Sequence, residues 1–565
     1  MKENHSIVPE PQGFGSVCQN TSSVVPGSET VRIPLLSIDG NQAEADYLEI
    51  SRPFQGIGMA YSVADNGCFV SSLIHAESAK GWGMILWEDL LGKHPLQLKE
   101  RFHQMKDEGV LPEGASFRLV NFNPFLISDR VNPIQCRYIR TMDDALQTAS
   151  SFLSIAYHTF HIEGDLNRYR SECENLLAAA IYFLVNYDLR PYDANGELLR
   201  SEGGPASETA RPGYSSADYV NAQGEPVPVH HWVGRYSSLP HVFSLLMRPD
   251  DSLLDILCSN PETAGLVSRL RQALRYAQFS VLDRVVGTLR TVVSRFMDPK
   301  FYWVLSGDDF DLNVSSAEHP VYLSMSVGAE YESSENAISC FVLERIVAET
   351  AHKSADDRPC SVILADYPSS MVRSLKHWIS SAKHNRVSYT VGLRSSHELS
   401  SGVGPRTANF LFRHFGTLVS SSGTSPDTSR YMTDLHSSDI LPDGVNLYDY
   451  VSAVIRPLTG PVDCIGGVTF CRDACFTPFL GRLKPVWECP SAEGGEIWRH
   501  TALDIFREDC EVANERYLQN YKRIESDVEE LYNTVCPPLQ DRDYVNDPVM
   551  GRVDKDLYME CLQKL

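Results

Sequence analysis

The chain has 565 residues, 43% of them hydrophobic and 22% charged, enough to bury a large core over roughly two to four domains. A formal net charge of −23 at pH 7 speaks against a protein drawn to nucleic acid by its overall field, because gripping phosphates takes clustered Lys and Arg. No apolar run reaches the roughly 18 to 20 residues that span a bilayer, and the first residues hold no apolar signal core, so a soluble, cytoplasmic protein without membrane insertion is expected.

Residues 1–28, rich in Pro, Ser, Gly and Asn, read as a flexible tail. From 29 to 138, strand-like runs alternate with helical ones: Ile57 to Tyr61, then "GWGMILWED" (81–89) and "SFRLVNF" (116–122). Strands interleaved with helices predict a mostly parallel sheet.

From 139 to 300 the period changes to helices. "SECENLLAAAIYFLVNY" puts Leu176, Leu177, Ala180, Ile181, Leu184 and Val185 on one face, and "FSVLDRVVGTLRTVVSRFM" repeats the pattern as one helical run. Between them, residues 191–231 have the Gly, Pro, Ser and Ala content of a surface insertion, a candidate recognition element or a tolerated loop. Arg269, Arg271, Arg275, Arg284, Arg290 and Arg295 form a local basic set that solvated helix faces explain as well as an anion site does.

Strand signals resume in 301–480, at "PVYLSMSV" (320–327), "CSVILADYP" (360–368), "RVSYTVGL" (386–393) and "FGTLVSSS" (415–422). Residues 481–565 read as a helical extension, with Tyr517, Tyr521, Ile524, Val528, Leu531 and Val535 forming a narrow apolar seam. Fourteen scattered cysteines suit reduced thiols. The tightest set, Cys464, Cys471 and Cys475, lacks a second pair or histidines at metal-site spacing, so no metal is expected.

A set of local phrases gives this pattern a family. "RPFQGI", "VNFNPFLISDRVNPI", "LLAAAIYFLVNY", "RYSSLPHVFSLL", "YWVLSGDDFDLNV", "VILADYP", "AKHNRVSYTVGLRSSHEL" and "NYKRIESDVEEL" follow one another across about residues 45–535. Their order and spacing resemble the TraG-type coupling proteins of conjugation and type IV secretion. The resemblance implies a RecA-like P-loop NTPase fold, a mostly parallel sheet flanked by helices and interrupted by an all-α domain. It also implies, through the family's usual transmembrane helices, that this chain departs from the pattern and is recruited to the inner face of the membrane by partners.

The resemblance further places the nucleotide motifs, and their ligands are missing. The family's G-x-x-x-x-G-K-[ST] loop falls on residues 61–68, where Tyr61 replaces the first Gly and Ala64, Asp65 and Asn66 lie within the loop. Gly67 stands at the Lys position and Cys68 at the magnesium-binding hydroxyl. The Asp-Glu that should end the apolar strand is Ala365-Asp366; Asp366 is a shorter base without its metal partner. Lys383 stands where Arg is usual, Arg394 where Gln is, and Arg413 where Asn is.

These changes together imply a catalytically inactive pseudo-ATPase, with ATP and magnesium binding lost or weak and no catalytic residues. Its expected role is a scaffold or substrate adaptor whose partners are proteins of a secretion or conjugation apparatus, or their substrates, with DNA binding disfavoured. The alternative is an active NTPase motor with an unorthodox site that couples DNA or protein substrates to a channel. Asp308 and Asp309 resemble paired carboxylates, but adjacent acids in a turn more often serve structure.

Overall fold

The computed structural model describes residues 29–36, 46–60, 66–89, 94–162, 169–192, 199–201, 219–220, 231–327, 333–352, 354, 356–365, 372–393, 396–421, 427–428, 464–470, 476–487, 505–536, 544–547 and 551–554. The first third holds β1 (Val31–Leu36), β2 (Asp46–Ile50), β3 (Ile57–Ala60), α1 (Asn66–Ser78), β4 (Gly83–Asp89), α2 (His94–Asp107) and β5 (Ser116–Val120). A helical excursion follows: α3 (Met142–Thr159), α4 (Arg170–Asn186), β6 (Leu189–Tyr192), β7 (Arg200–Ser201), β8 (Tyr219–Val220), β9 (His231–Gly234), α5 (Leu239–Leu246), α6 (Asp250–Cys258), α7 (Pro261–Arg275), α8 (Phe279–Leu282), α9 (Thr288–Val293) and α10 (Pro299–Leu305).

The chain then returns to the sheet with β10 (Val321–Val327), α11 (Ser334–Ala351), β11 (Cys360–Leu364), α12 (Val372–Asn385), β12 (Val387–Leu393), α13 (Ser396–Val403), α14 (Pro405–His414) and β13 (Thr417–Ser421). It closes with β14 (Cys464–Phe470), β15 (Phe476–Leu483), α15 (Cys510–Val535) and the hairpin β16 (Tyr544–Asp547) and β17 (Gly551–Asp554).

Eleven strands form one sheet in the order β2-β1-β15-β14-β13-β3-β12-β11-β4-β10-β5. The seven from β13 to β5 pair in parallel, and β14, β15, β1 and β2 extend the sheet antiparallel. Parallel strands covered on both faces need near-continuous apolar or small residues, and every residue of β3, β11, β12 and β13 is buried. Side chains alternate across the sheet: Ile85 and Trp87 of β4 enter the core shared with the helical excursion, while Met84 and Leu86 meet Phe69, Leu73 and Phe102 from the α1–α2 layer. One strand, β12, separates β3 from β11, the arrangement of a RecA-like P-loop sheet.

Several elements depart from the sequence reading. The expected single helix over 279–297 is α8, a π-turn at Asp283–Gly287, α9 and a 3₁₀ turn; one widened turn rotates the apolar face partway along. The 191–231 insertion has a built stem, since β6 pairs with β9 from Leu189↔Gly234 to Tyr192↔His231, and β7 with β8. The four antiparallel strands were not anticipated, nor was the β16–β17 hairpin in the extension expected to be helical.

The excursion leaves after β5 and returns before β10, and its two ends are bonded to each other. Arg130 donates from Nε and Nη2 to Oδ1 of Asp309 at 3.1 and 2.8 Å, and its backbone N–H donates to Oδ2 at 2.8 Å. The Asp309 N–H returns a bond to the Arg130 carbonyl at 3.2 Å, and Val131 N–H reaches the Val304 carbonyl at 2.7 Å. The Arg130 guanidinium lies 5.0 Å from the Trp303 ring centroid. A second set joins Arg137 to Asp308 and Asp311, both at 3.1 Å, while Tyr138 donates its hydroxyl to Asp311 at 2.9 Å. Gly307 makes room for this neck: a Cβ there would meet Nε and Cδ of Arg130 at 2.5 and 2.6 Å.

Helix α15 straps the excursion from outside. Ala513, Tyr517, Asn520, Ile524, Val528 and Leu531 are buried, so the expected seam exists, with Asn520 within it and Tyr521 and Val535 at its margin. At one end the buried Lys300 amine donates to the Leu126 carbonyl at 2.8 Å and to the Tyr517 hydroxyl at 2.7 Å, with Glu508 at 3.4 Å. Burial pushes the Lys300 ammonium down to about 8. At the other end Arg235 and Arg248 pair with Glu530 and Glu529, each at 2.7 Å.

Bidentate, charge-assisted bonds that also hold a backbone N–H exceed an ordinary surface pair. Asp309→Ala should therefore cost about 1–2 kcal/mol in denaturant unfolding, and a double-mutant cycle with Arg130→Ala should return a coupling of about 1 kcal/mol. Gly307→Ala should destabilise in wild type and lose much of that effect in the Arg130→Ala background.

Candidate nucleotide-type site at the carboxyl edge of the sheet

In open α/β sheets ligands bind outside the carboxyl ends of the strands, where the helix that follows a strand presents its N-terminus. Strands β3, β12, β11 and β4 end together on that edge. Ala60 pairs with Leu393, and Leu364 with both Val391 and Trp87. Helix α1 starts at Asn66, with five residues, 61–65, between it and the end of β3.

The sequence-predicted positions divide over the two edges. Ala365 is fully buried at the end of β11, where its N–H continues the ladder to the Trp87 carbonyl at 2.9 Å. Asn66 and Gly67 open α1; Cys68 follows, a half-buried thiol outside any disulfide, against the α1–α2 core, whose carbonyl accepts from the Ser72 hydroxyl at 2.9 Å. Tyr61, Ala64, Asp366 and Arg394 lie outside the described residues.

Lys383 and Arg413 are placed elsewhere. Each is exposed in the last turn of the helix that leads into a strand, α12 before β12 and α14 before β13. They therefore sit at the amino edge, about 20 Å from the carboxyl edge by the length of a seven-residue strand. Within one subunit they are not brought together with Ala365 and α1.

One polar group at the carboxyl edge escaped the sequence reading. Glu88, next to last in β4, is buried and accepts a bond from, or gives one to, Nδ1 of buried His94 at the start of α2, 2.5 Å away. Its parallel-register neighbour on β10 is Ser326. One turn on, Gln97 donates from Nε2 to the Ser71 carbonyl of α1 at 3.0 Å, tying α2 to α1. Glu88 Oε2, Gln97 Oε1, Ser71 Oγ and Ser326 Oγ are buried without a hydrogen-bond partner. Within the strand-like run "GWGMILWED" Glu88 carries no signal of its own in the sequence.

Among the described residues no three His, Cys, Asp or Glu side chains gather as a metal site. The cysteines with described side chains form no disulfide with one another. The basic set on the excursion is largely engaged: Arg269 pairs with Glu172 at 2.5 Å, Arg271 with Asp255 at 2.6 Å and Arg290 with Asp250 at 2.8 Å.

Removing one member of a buried pair strands the other. His94→Ala should cost about 3–5 kcal/mol in denaturant unfolding, and adding Glu88→Gln should recover part of it; equal losses in the single and double variants would contradict a coupled pair.

No protein-family model matches the chain, and no curated protein does either. Among solved structures it is similar to the unbound bacterial conjugative coupling protein TrwBdeltaN70, at 12% identity and a TM-score of 0.47, covering 81% of this chain and 94% of that one. It is similar also to the plasmid coupling protein TrwB in complex with ADP and Mg2+, at 13% identity and 0.46, covering 77% and 86% of the two chains. A third is VirB4 of Thermoanaerobacter pseudethanolicus, at 9% identity and 0.41, covering 81% and 96%. At these scores the fold rests on the strand order: an α/β, RecA-like P-loop sheet carrying an inserted helical segment.

Proposed function

We propose that the chain is a coupling-protein-like pseudo-ATPase, a RecA-like frame kept for binding, that acts as a scaffold or substrate adaptor in a conjugation or other secretion apparatus. The observation that carries this reading is Ala365: a buried methyl at the end of β11, where the resemblance calls for the magnesium-binding carboxylate. A methyl group ligates nothing, and the thiol of Cys68 at the hydroxyl position is a poor match for a hard cation. Gly67 at the lysine position removes the point charge that would meet the β- and γ-phosphates.

Charge supports protein partners over nucleic acid. The chain carries −23 overall, and Arg269, Arg271 and Arg290 are tied to acids on neighbouring helices. Attachment to a membrane would come through such partners; among the described residues no helix is long and apolar enough to cross one.

Phosphate release from ATP with magnesium should stay at background, alone and with added single- or double-stranded DNA. Release that disappears on Asp366→Ala would overturn the reading. The tagged chain, purified from its native cell, should retain secretion-apparatus proteins or their cargo; recovery without any of them would remove the scaffold role.

A further inference from the structure

The other end of α1 carries a buried acid that no part of the nucleotide-type site uses. Glu77 is 0% exposed at the amino edge of the sheet. Ser361 of β11 donates its hydroxyl to Oε2 at 2.5 Å, and Ser388 of β12 donates to Oε1 at 3.0 Å. One carboxyl thus fastens α1 to two central strands at once, and those strands lead to Ala365 and Leu393 on the opposite edge.

The cations nearby do not take it as their partner. Lys80, just beyond the helix, acts on Glu77 only through space. Arg101 of α2 donates to the Ser78 hydroxyl at 3.0 Å, and Arg32 of β1 pairs with Glu49 at 2.7 Å. The other titratable and charged groups of the elements packed here are Cys68 and His75 on α1, Arg482 on β15, and His94, Lys99, Glu100, His103, Lys106 and Asp107 on α2. Two neutral hydroxyls offset the burial of a carboxylate only in part; the protonated acid avoids that cost, its proton donated to one of the two serine oxygens once that hydroxyl has turned.

We propose that Glu77 is a proton-binding switch: the neutral carboxyl locks α1 onto β11 and β12, and its ionisation loosens the helix that follows residues 61–65. Burial pushes this carboxyl up from 4.5 to about 7, against the opposing pull of the two serine bonds and Lys80. With the attached-state value raised, the lock is at full strength below pH 4.5, weakens as pH rises from there, and reaches its floor above about 7.

Hydrogen exchange on the full chain reads the lock directly. After correction for the intrinsic pH dependence of exchange, protection of the α1 amides should fall about tenfold more between pH 6 and pH 8 in wild type than in Glu77→Gln, with α3 and α4 unaffected. The same pH dependence in both proteins would overturn the switch. Should Glu77→Gln fail to fold, Ser361→Ala serves instead: losing a donor to the carboxylate must move the wild-type transition to higher pH, and an unmoved transition would overturn the proposal equally.

Discussion

The bonded neck between residues 130–138 and 303–312 is the constraint on which the rest of the architecture depends. Arg130 and Asp309 are 179 residues apart in the chain. When the chain returns from its helical excursion, β10 does not join an edge; it slots between β4 and β5, the two strands made before the excursion began. Closing so long a loop costs conformational entropy, and an insertion between two strands tolerates no error of register. The neck meets both demands. It brings the outgoing and returning segments side by side with backbone and side-chain bonds, and it delivers Leu312 and Val314 to the core just ahead of Val321.

That neck also explains which parts of the sequence were informative. "NPFLISDRVNPI" and "YWVLSGDDF" stood out because secondary structure alone does not dictate their composition, and in three dimensions they are each other's partners. The central strands were legible because burial on both faces leaves little but apolar and small residues, as in "CSVIL" and "VSYTVGL". The antiparallel strands were not: Gly466, Gly467 and Pro478 dilute the strand signal, and β1 and β2 find their places only by pairing with each other and with β15, more than 400 residues on. The break inside 279–297 was equally hidden, since a π-turn keeps every residue helical and shifts only the face.

At the candidate site, what the sequence could supply was residue identity, and what it could not was the edge of the sheet each residue occupies. Cys68 and Ala365 belong to the carboxyl-edge frame. Lys383 and Arg413 belong to the amino edge, a strand's length away, so they cannot stand in for the absent loop lysine within one subunit. The buried Glu88–His94 pair went unseen because its acid sits where a strand ordinarily leaves the core. Glu77 went unseen because "HAES" looks like the polar end of any helix. Both acids are buried polar groups at the two ends of α1, one bonded to a histidine and the other to two serines.

Calorimetric titration of the full chain with ATP and magnesium distinguishes the proposed RecA-like frame without a working nucleotide site from an active one. No saturable heat is expected up to millimolar nucleotide. A single site of low-micromolar affinity, weakened by Asp366→Ala, would contradict it and identify the chain as a nucleotide-binding protein with an unorthodox phosphate loop.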